Sequence, residues 1–162
     1  MPINDASSAK EFVKDWMNHR KVFEREMDPT PINLNFQFIG KSEGGIGFTV
    51  MQPKIWDTSV LIMAEVKIGE SHLKIFESMR TRDRDEFMLN LMKSILFAPA
   101  SFAFDPTFET KGYPQGIQLI KEICYDNLTE DRLSNCMRDI VKCVVYMIEL
   151  FKKELGEAGT QK

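Results

Sequence analysis

Histidine is nearly missing from this 162-residue chain, and cysteine and tryptophan are scarce: two histidines, three cysteines and two tryptophans. His19 and His72 fall on separate predicted elements and form no HxH, HExxH or Cys/His spacing, which removes the usual signatures of a metal site. Cys124, Cys136 and Cys143 include no CxxC pair and lie in apolar stretches, so they read as reduced core thiols. Cys136 and Cys143 are seven apart on one predicted helix. Roughly 10 Å of helical rise separates them, beyond the reach of a disulfide. A catalytic role for Cys124 would need a base beside it, and the sequence places none there.

Also missing is any apolar run long enough to cross a membrane. The opening Met1-Pro2-Ile3-Asn4-Asp5 lacks the basic start, apolar middle and small-residue cleavage site of a secretory signal. A soluble, cytoplasmic protein with no membrane partner is expected. The formal net charge of −3 is the wrong sign for neutralising phosphates, which argues against a nucleic-acid partner. Gly44-Gly45-Ile46-Gly47 is not followed by the Lys-Ser/Thr and helix of a phosphate-binding loop, so it reads as a hairpin turn. Arg80, Arg82 and Arg84 are interleaved with Asp83, Asp85 and Glu86. The charges nearly cancel, and the acids lack the spacing and glycine of an EF-hand, so a solvated helix start is the reading. Asn127-Leu128-Thr129 matches a glycosylation sequon, but Thr129 has a use as a helix cap. No catalytic, cofactor-binding or metal-binding residue is expected, and no cofactor.

What is present is an ordinary globular balance, 43% hydrophobic and 28% charged. It suits one domain over residues 1–162 with an ordered core of about 8–155. Ser8-x-x-Glu11 resembles a capping box and opens a helix over 8–27, in which Phe12, Trp16, His19, Phe23 and Met27 keep three- and four-residue spacing. Pro29 and Pro31 then force an extended chain. Leu34, Phe36 and Phe38, and after the glycines Ile46, Phe48 and Val50, alternate with polar residues as two strands of a hairpin. Thr58–Ile68 contains the run Val60-Leu61-Ile62-Met63-Ala64, which fits a central strand covered on both faces. Residues 70–79 satisfy both periods; a short helix is favoured. A long helix follows over 83–97, capped by Thr81 or Asp83 and stopped by Pro99. Phe102 and Phe104, then Ile117–Tyr125, make two further strands that pair with each other. The closing helix runs from Thr129 to about Leu155, followed by a frayed tail. The order α-βββ-αα-ββ-α predicts an α+β fold built on one mostly antiparallel five-stranded sheet.

After its first turn the helix over 83–97 has only Asn90, Lys93 and Ser94 as polar positions, and one core face cannot use so much apolar surface. Met88, Leu89, Met92 and Leu96 are therefore expected to meet a second copy or a protein or peptide client, the competing reading being that this helix, the closing helix and Phe12, Trp16 and Phe23 cover one another in a monomer. The other reading is a small-ligand or catalytic site assembled only in three dimensions around Cys124, Tyr125, Asp126 or His19.

The order of elements resembles the α+β fold of type III secretion chaperones. The run His72-Leu73-Lys74-Ile75-Phe76, Arg84-Asp85-Glu86-Phe87 and Phe102-Ala103-Phe104-Asp105-Pro106 resembles an uncharacterised archaeal protein family. Ile117-Gln118-Leu119 and Ile123-Cys124-Tyr125-Asp126-Asn127-Leu128-Thr129 resemble it as well, and the likeness spans residues 8–155. It implies a homodimer formed through residues 83–97 and capture of an extended peptide on apolar surface. It supplies no catalytic residues. The short helix at 70–79 and the long closing helix depart from the chaperone pattern.

Overall fold

The computed structural model describes residues 3–156. Helix α1 (Ala6–His19) is capped by Asp5, whose carboxylate accepts the Ser8 N–H at 2.7 Å while the Ser8 hydroxyl oxygen accepts the Asp5 N–H at 3.3 Å. The reciprocal pair is a capping box, set one turn earlier than Ser8-x-x-Glu11. Ala9, Val13, Trp16 and Met17 form the buried stripe, whereas His19 is exposed.

The helix does not continue to residue 27. Lys21 takes a left-handed conformation with φ 56°, which turns the chain back so that Phe23–Glu26 forms strand β1. Phe23 and Met27 matched the helical period, but β1 pairs antiparallel with β2 (Leu34–Lys41) through Phe23↔Gly40 and Glu26↔Phe38. The backbone hydrogen bonds of a sheet edge outweigh a weak local periodicity here.

Strand β3 (Gly47–Pro53) completes the expected hairpin. Its turn is closed by the Ser42 N–H donating to the Ile46 carbonyl at 2.9 Å, with Gly45 left-handed at φ 82°. Strand β4 (Ser59–Lys67) lies beside β3 in register Val50↔Ile62. Adjacent residues Val60, Leu61 and Ile62 are all buried, as a strand covered on both faces requires. Helix α2 (Glu70–Ser78) buries His72 and Phe76. Helix α3 (Thr81–Ile95) follows Arg80, with no side chain bonded at its cap, so neither Thr81 nor Asp83 caps it. Strand β5 (Ser101–Phe104), the short helix α4 (Thr107–Lys111) and strand β6 (Gly116–Cys124) come next. A single 3-10 turn at Tyr125–Asn127 leads to α5 (Glu130–Leu155). There the Thr129 hydroxyl accepts the Arg132 N–H at 3.1 Å.

The sheet has six strands, not five, in the order β1-β2-β3-β4-β6-β5. Tyr125 N–H donates to the Thr58 carbonyl, and Ile68 N–H donates to that of Gln115. The start of β4 thus meets the end of β6, and the two run antiparallel. The chain divides into two compact units, Met1–Ala64 with Ile120–Val141, and Glu65–Leu119 with Lys142–Lys162. In the first, Trp16 donates its indole N–H to Ser134 at 3.1 Å within the core formed by Phe36, Phe38, Val50 and Leu133. In the second, Phe76 stacks on Tyr113 and meets Phe87 and Phe151 edge-on or tilted, all within 6.4 Å.

Gly156 ends α5 with φ 86°, its N–H donating to the Lys152 carbonyl and its own carbonyl 2.8 Å from His72 Nε2. It is thus a helix cap rather than the first residue of a frayed tail. The rest of that expected tail, 157–162, lies outside the described residues.

Candidate interaction surface

Three α3 residues, Met88, Leu91 and Ile95, recur at the spacing of one helix face and are buried. Phe87 joins the aromatic cluster of Phe76 and Phe151. That leaves Leu89 at 50% exposure, Leu96 at 65% and Phe97, just past the helix, at 90%. Met92 is partly exposed. Met88 is corrected: at 3% exposure it is a core side chain, because its place on the Leu91 and Ile95 stripe turns it inward. The other three expected contact residues are accessible.

Of these exposed residues Phe97 lines a formed cavity of about 300 Å³, together with Ile95, Pro99, Leu119, Cys143, Tyr146 and Met147 and with Ser94 and Lys142 among its polar residues. Val145 and Tyr146 of α5 are themselves about half exposed. No charged group other than Lys142 is among the lining residues. Such a surface is mainly apolar.

Cys124, Tyr125 and Asp126 do not converge. Tyr125 is buried, and its hydroxyl accepts a hydrogen bond from the Gln52 amide, while Cys124 and Asp126 are exposed. Burial raises the Tyr125 pKa. The reading of three core thiols fails at Cys124, which occupies an outward position of β6; Cys136 and Cys143 are buried, and burial pushes the Cys136 thiol up. His19 Nδ1 lies 3.9 Å from Glu130, with both side chains largely exposed. His72 stacks on Phe151. Among the described residues no group of three His, Cys, Asp or Glu side chains could hold a metal ion. Arg80 pairs with Asp83 at 2.8 Å, and the Arg84 guanidinium lies over the Tyr113 ring.

One exposed apolar cluster escaped the sequence reading. Ile32, Ile55 and Trp56 are exposed on two loops joined by the Lys54 N–H donating to the Asn33 carbonyl at 2.9 Å. The buried Gln52 amide donates to the Asp57 carbonyl at 3.3 Å and accepts from Asn35 at 3.3 Å, which fixes the second loop. The available signal was the pair Ile55-Trp56 inside a turn, where polar residues are usual.

A family model described as "Uncharacterized conserved protein (DUF2299)" matches residues 9–151. An uncharacterised protein from Methanothermobacter thermautotrophicus superposes with a TM-score of 0.76 at 19% identity, over 87% of this chain and 96% of that one. A chain from the structure of the HopA1-SchA chaperone-effector complex superposes with a TM-score of 0.52 at 9% identity, over 90% and 97%. At these identities the likeness establishes a shared, chaperone-like fold. No curated protein matches the sequence. Among the described residues no helix is long and apolar enough to cross a membrane.

Proposed function

For a chain that belongs to the DUF2299 family of uncharacterised conserved proteins, we propose the role of a non-enzymatic interaction module, cytoplasmic and active as a homodimer. The observation that carries this reading is the exposure of Leu89, Leu96 and Phe97, the last of which lines an apolar cavity of about 300 Å³. Exposed apolar area of this kind is removed from water most cheaply by a second protein surface. A protein client is supported by the fold shared with a chain of a chaperone-effector complex. We read the chain as one folding domain, since the boundary between its two compact units falls inside β4, β6 and α5.

Sedimentation equilibrium at micromolar concentration is expected to give twice the chain mass. Leu96→Glu and Phe97→Glu, both at exposed positions, should raise the dissociation constant at least about thirtyfold, equivalent to ~2 kcal/mol. A monomeric wild type, or a dimer indifferent to both substitutions, would refute the reading. A small-ligand site around Cys124, Tyr125 and Asp126 has less support, because the Tyr125 hydroxyl already has a partner and its neighbours face outward.

A further inference from the structure

A six-stranded open sheet has two edges, here β1 and β5. Edges that are left open invite another strand, and proteins commonly guard them with charge or irregularity. Strand β1 is guarded in this way. It exposes Glu24 and Arg25, its register shifts between Phe23 and Arg25, and Glu26 is held by Lys10 at 2.6 Å and Lys14 at 3.0 Å. Strand β5 reads Ser101-Phe102-Ala103-Phe104 and carries no charge. Ser101 and Ala103 are exposed, while Phe102 and Phe104 are only half-buried. Their rings lie 5.5 Å apart, and Phe104 is 4.8 Å from half-buried Phe108. Among the described residues no strand pairs with the outer side of β5, which also carries a row of incompletely covered aromatic rings.

We propose that β5 is a docking edge for an extended peptide with apolar residues at alternate positions. The backbone groups on that edge are matched only by another extended backbone. A strand laid there would send every second side chain toward the flank of Phe102 and Phe104. Pro99 and Pro106 bracket the edge, and because proline cannot continue a ladder they confine pairing to Ala100–Asp105. The shortness of this edge favours a peptide over a second copy. Four residues paired with their own counterpart would cover on the order of a few hundred Å², against roughly 1,200–2,000 Å² for a stable interface. Peptide capture by strand addition works at the smaller scale. This inference specifies the client of the proposed interaction module, on a surface other than the Leu96–Phe97 face.

The probe is an acetylated eight-residue peptide of alternating valine and threonine, with binding read by fluorescence anisotropy and by amide hydrogen exchange of the full chain. Saturating peptide is expected to slow exchange at residues 101–104 at least tenfold. N-methylation of one alternate set of peptide amides should weaken binding at least tenfold, and N-methylation of the other set should leave it unchanged. Ala103→Lys, at an exposed position, should weaken binding at least tenfold with sedimentation unaltered. Equal tolerance of both methylated peptides overturns the proposal, as does unchanged exchange at 101–104. Protection of those amides that rises with protein concentration alone also overturns it, since the edge would then belong to a second copy. Failure here leaves the sedimentation result untouched, so it is distinguishable from failure of the dimer.

Discussion

Gly40 shows how one residue holds two elements together. A Cβ built there would lie 2.7 Å from the Met17 Cε and Phe48 Cζ atoms and 2.9 Å from the Val22 carbonyl oxygen. The side chains could shift, but the Val22 carbonyl is fixed by accepting the Lys41 N–H at 2.9 Å. Gly40→Ala is expected to cost about 1–3 kcal/mol in urea unfolding, the range for overpacking a core. Nothing in the sequence around Gly40 signals this role, because close approach of another element leaves no mark in the local pattern. Asp105 performs a comparable task with polar atoms. Its carboxylate accepts the Thr107 hydroxyl, the Thr107 N–H at 3.1 Å and the Gln115 N–H at 3.0 Å. Partial burial pushes its pKa up, but hydrogen bonds from the Thr107 side chain and from the Gln115, Thr107 and Gly116 amides outweigh that and hold it below the usual carboxylate value. A lowered folded pKa means that the contribution is complete above the unfolded value, near pH 4, and is lost as pH falls through the folded one. Asp105→Asn puts an amide donor against donors, and should destabilise by about 1–3 kcal/mol at pH 7. The gap from wild type should narrow below about pH 4, as urea titrations at pH 7 and pH 3 would reveal.

Elements with strong internal periodicity were legible, and those decided by pairing with a distant partner were not. The closing helix, the hairpin from Leu34 to Pro53 and the buried strand β4 follow from their own patterns. Strand β1 has only four residues and exists because β2 offers it a ladder. Helix α4 is shorter than the length at which periodicity can be recognised, and Gly112 with φ 72° closes it. The passage from α1 into β1 depends on Lys21 at φ 56°. A non-glycine residue in that conformation costs roughly 1–2 kcal/mol, partly offset for glycine by its greater freedom in the unfolded chain. Lys21→Gly should therefore stabilise the protein by about 0.5–1 kcal/mol in a denaturant midpoint measured against wild type. An unchanged or lowered midpoint would show that some interaction of the Lys21 side chain matters more than the backbone strain.

At the scale of the whole molecule, the surplus of apolar residues on α3 was visible in the sequence, but its division between core and surface was not. Periodicity could not separate Met88 from Leu89, since which of two neighbouring positions faces inward depends on what packs against the helix. The structure buries Met88 and exposes Leu89. It also brings Phe97 together with Tyr146 and Met147 in a cavity whose lining comes from separate stretches of chain. If this face is covered by a second copy, association and folding are linked, because a partner that binds only the folded chain stabilises it by mass action. The thermal midpoint of the wild type should then rise by about 3–5 °C over a hundredfold increase in protein concentration near the dissociation constant. Phe97→Glu removes an exposed side chain, so its midpoint at high dilution should match that of the wild type. At high concentration it should fail to rise. A wild-type midpoint independent of concentration would mean that Leu89, Leu96 and Phe97 face water in the working protein, and the homodimer would have to be abandoned even if the sheet edge at β5 still captured a peptide.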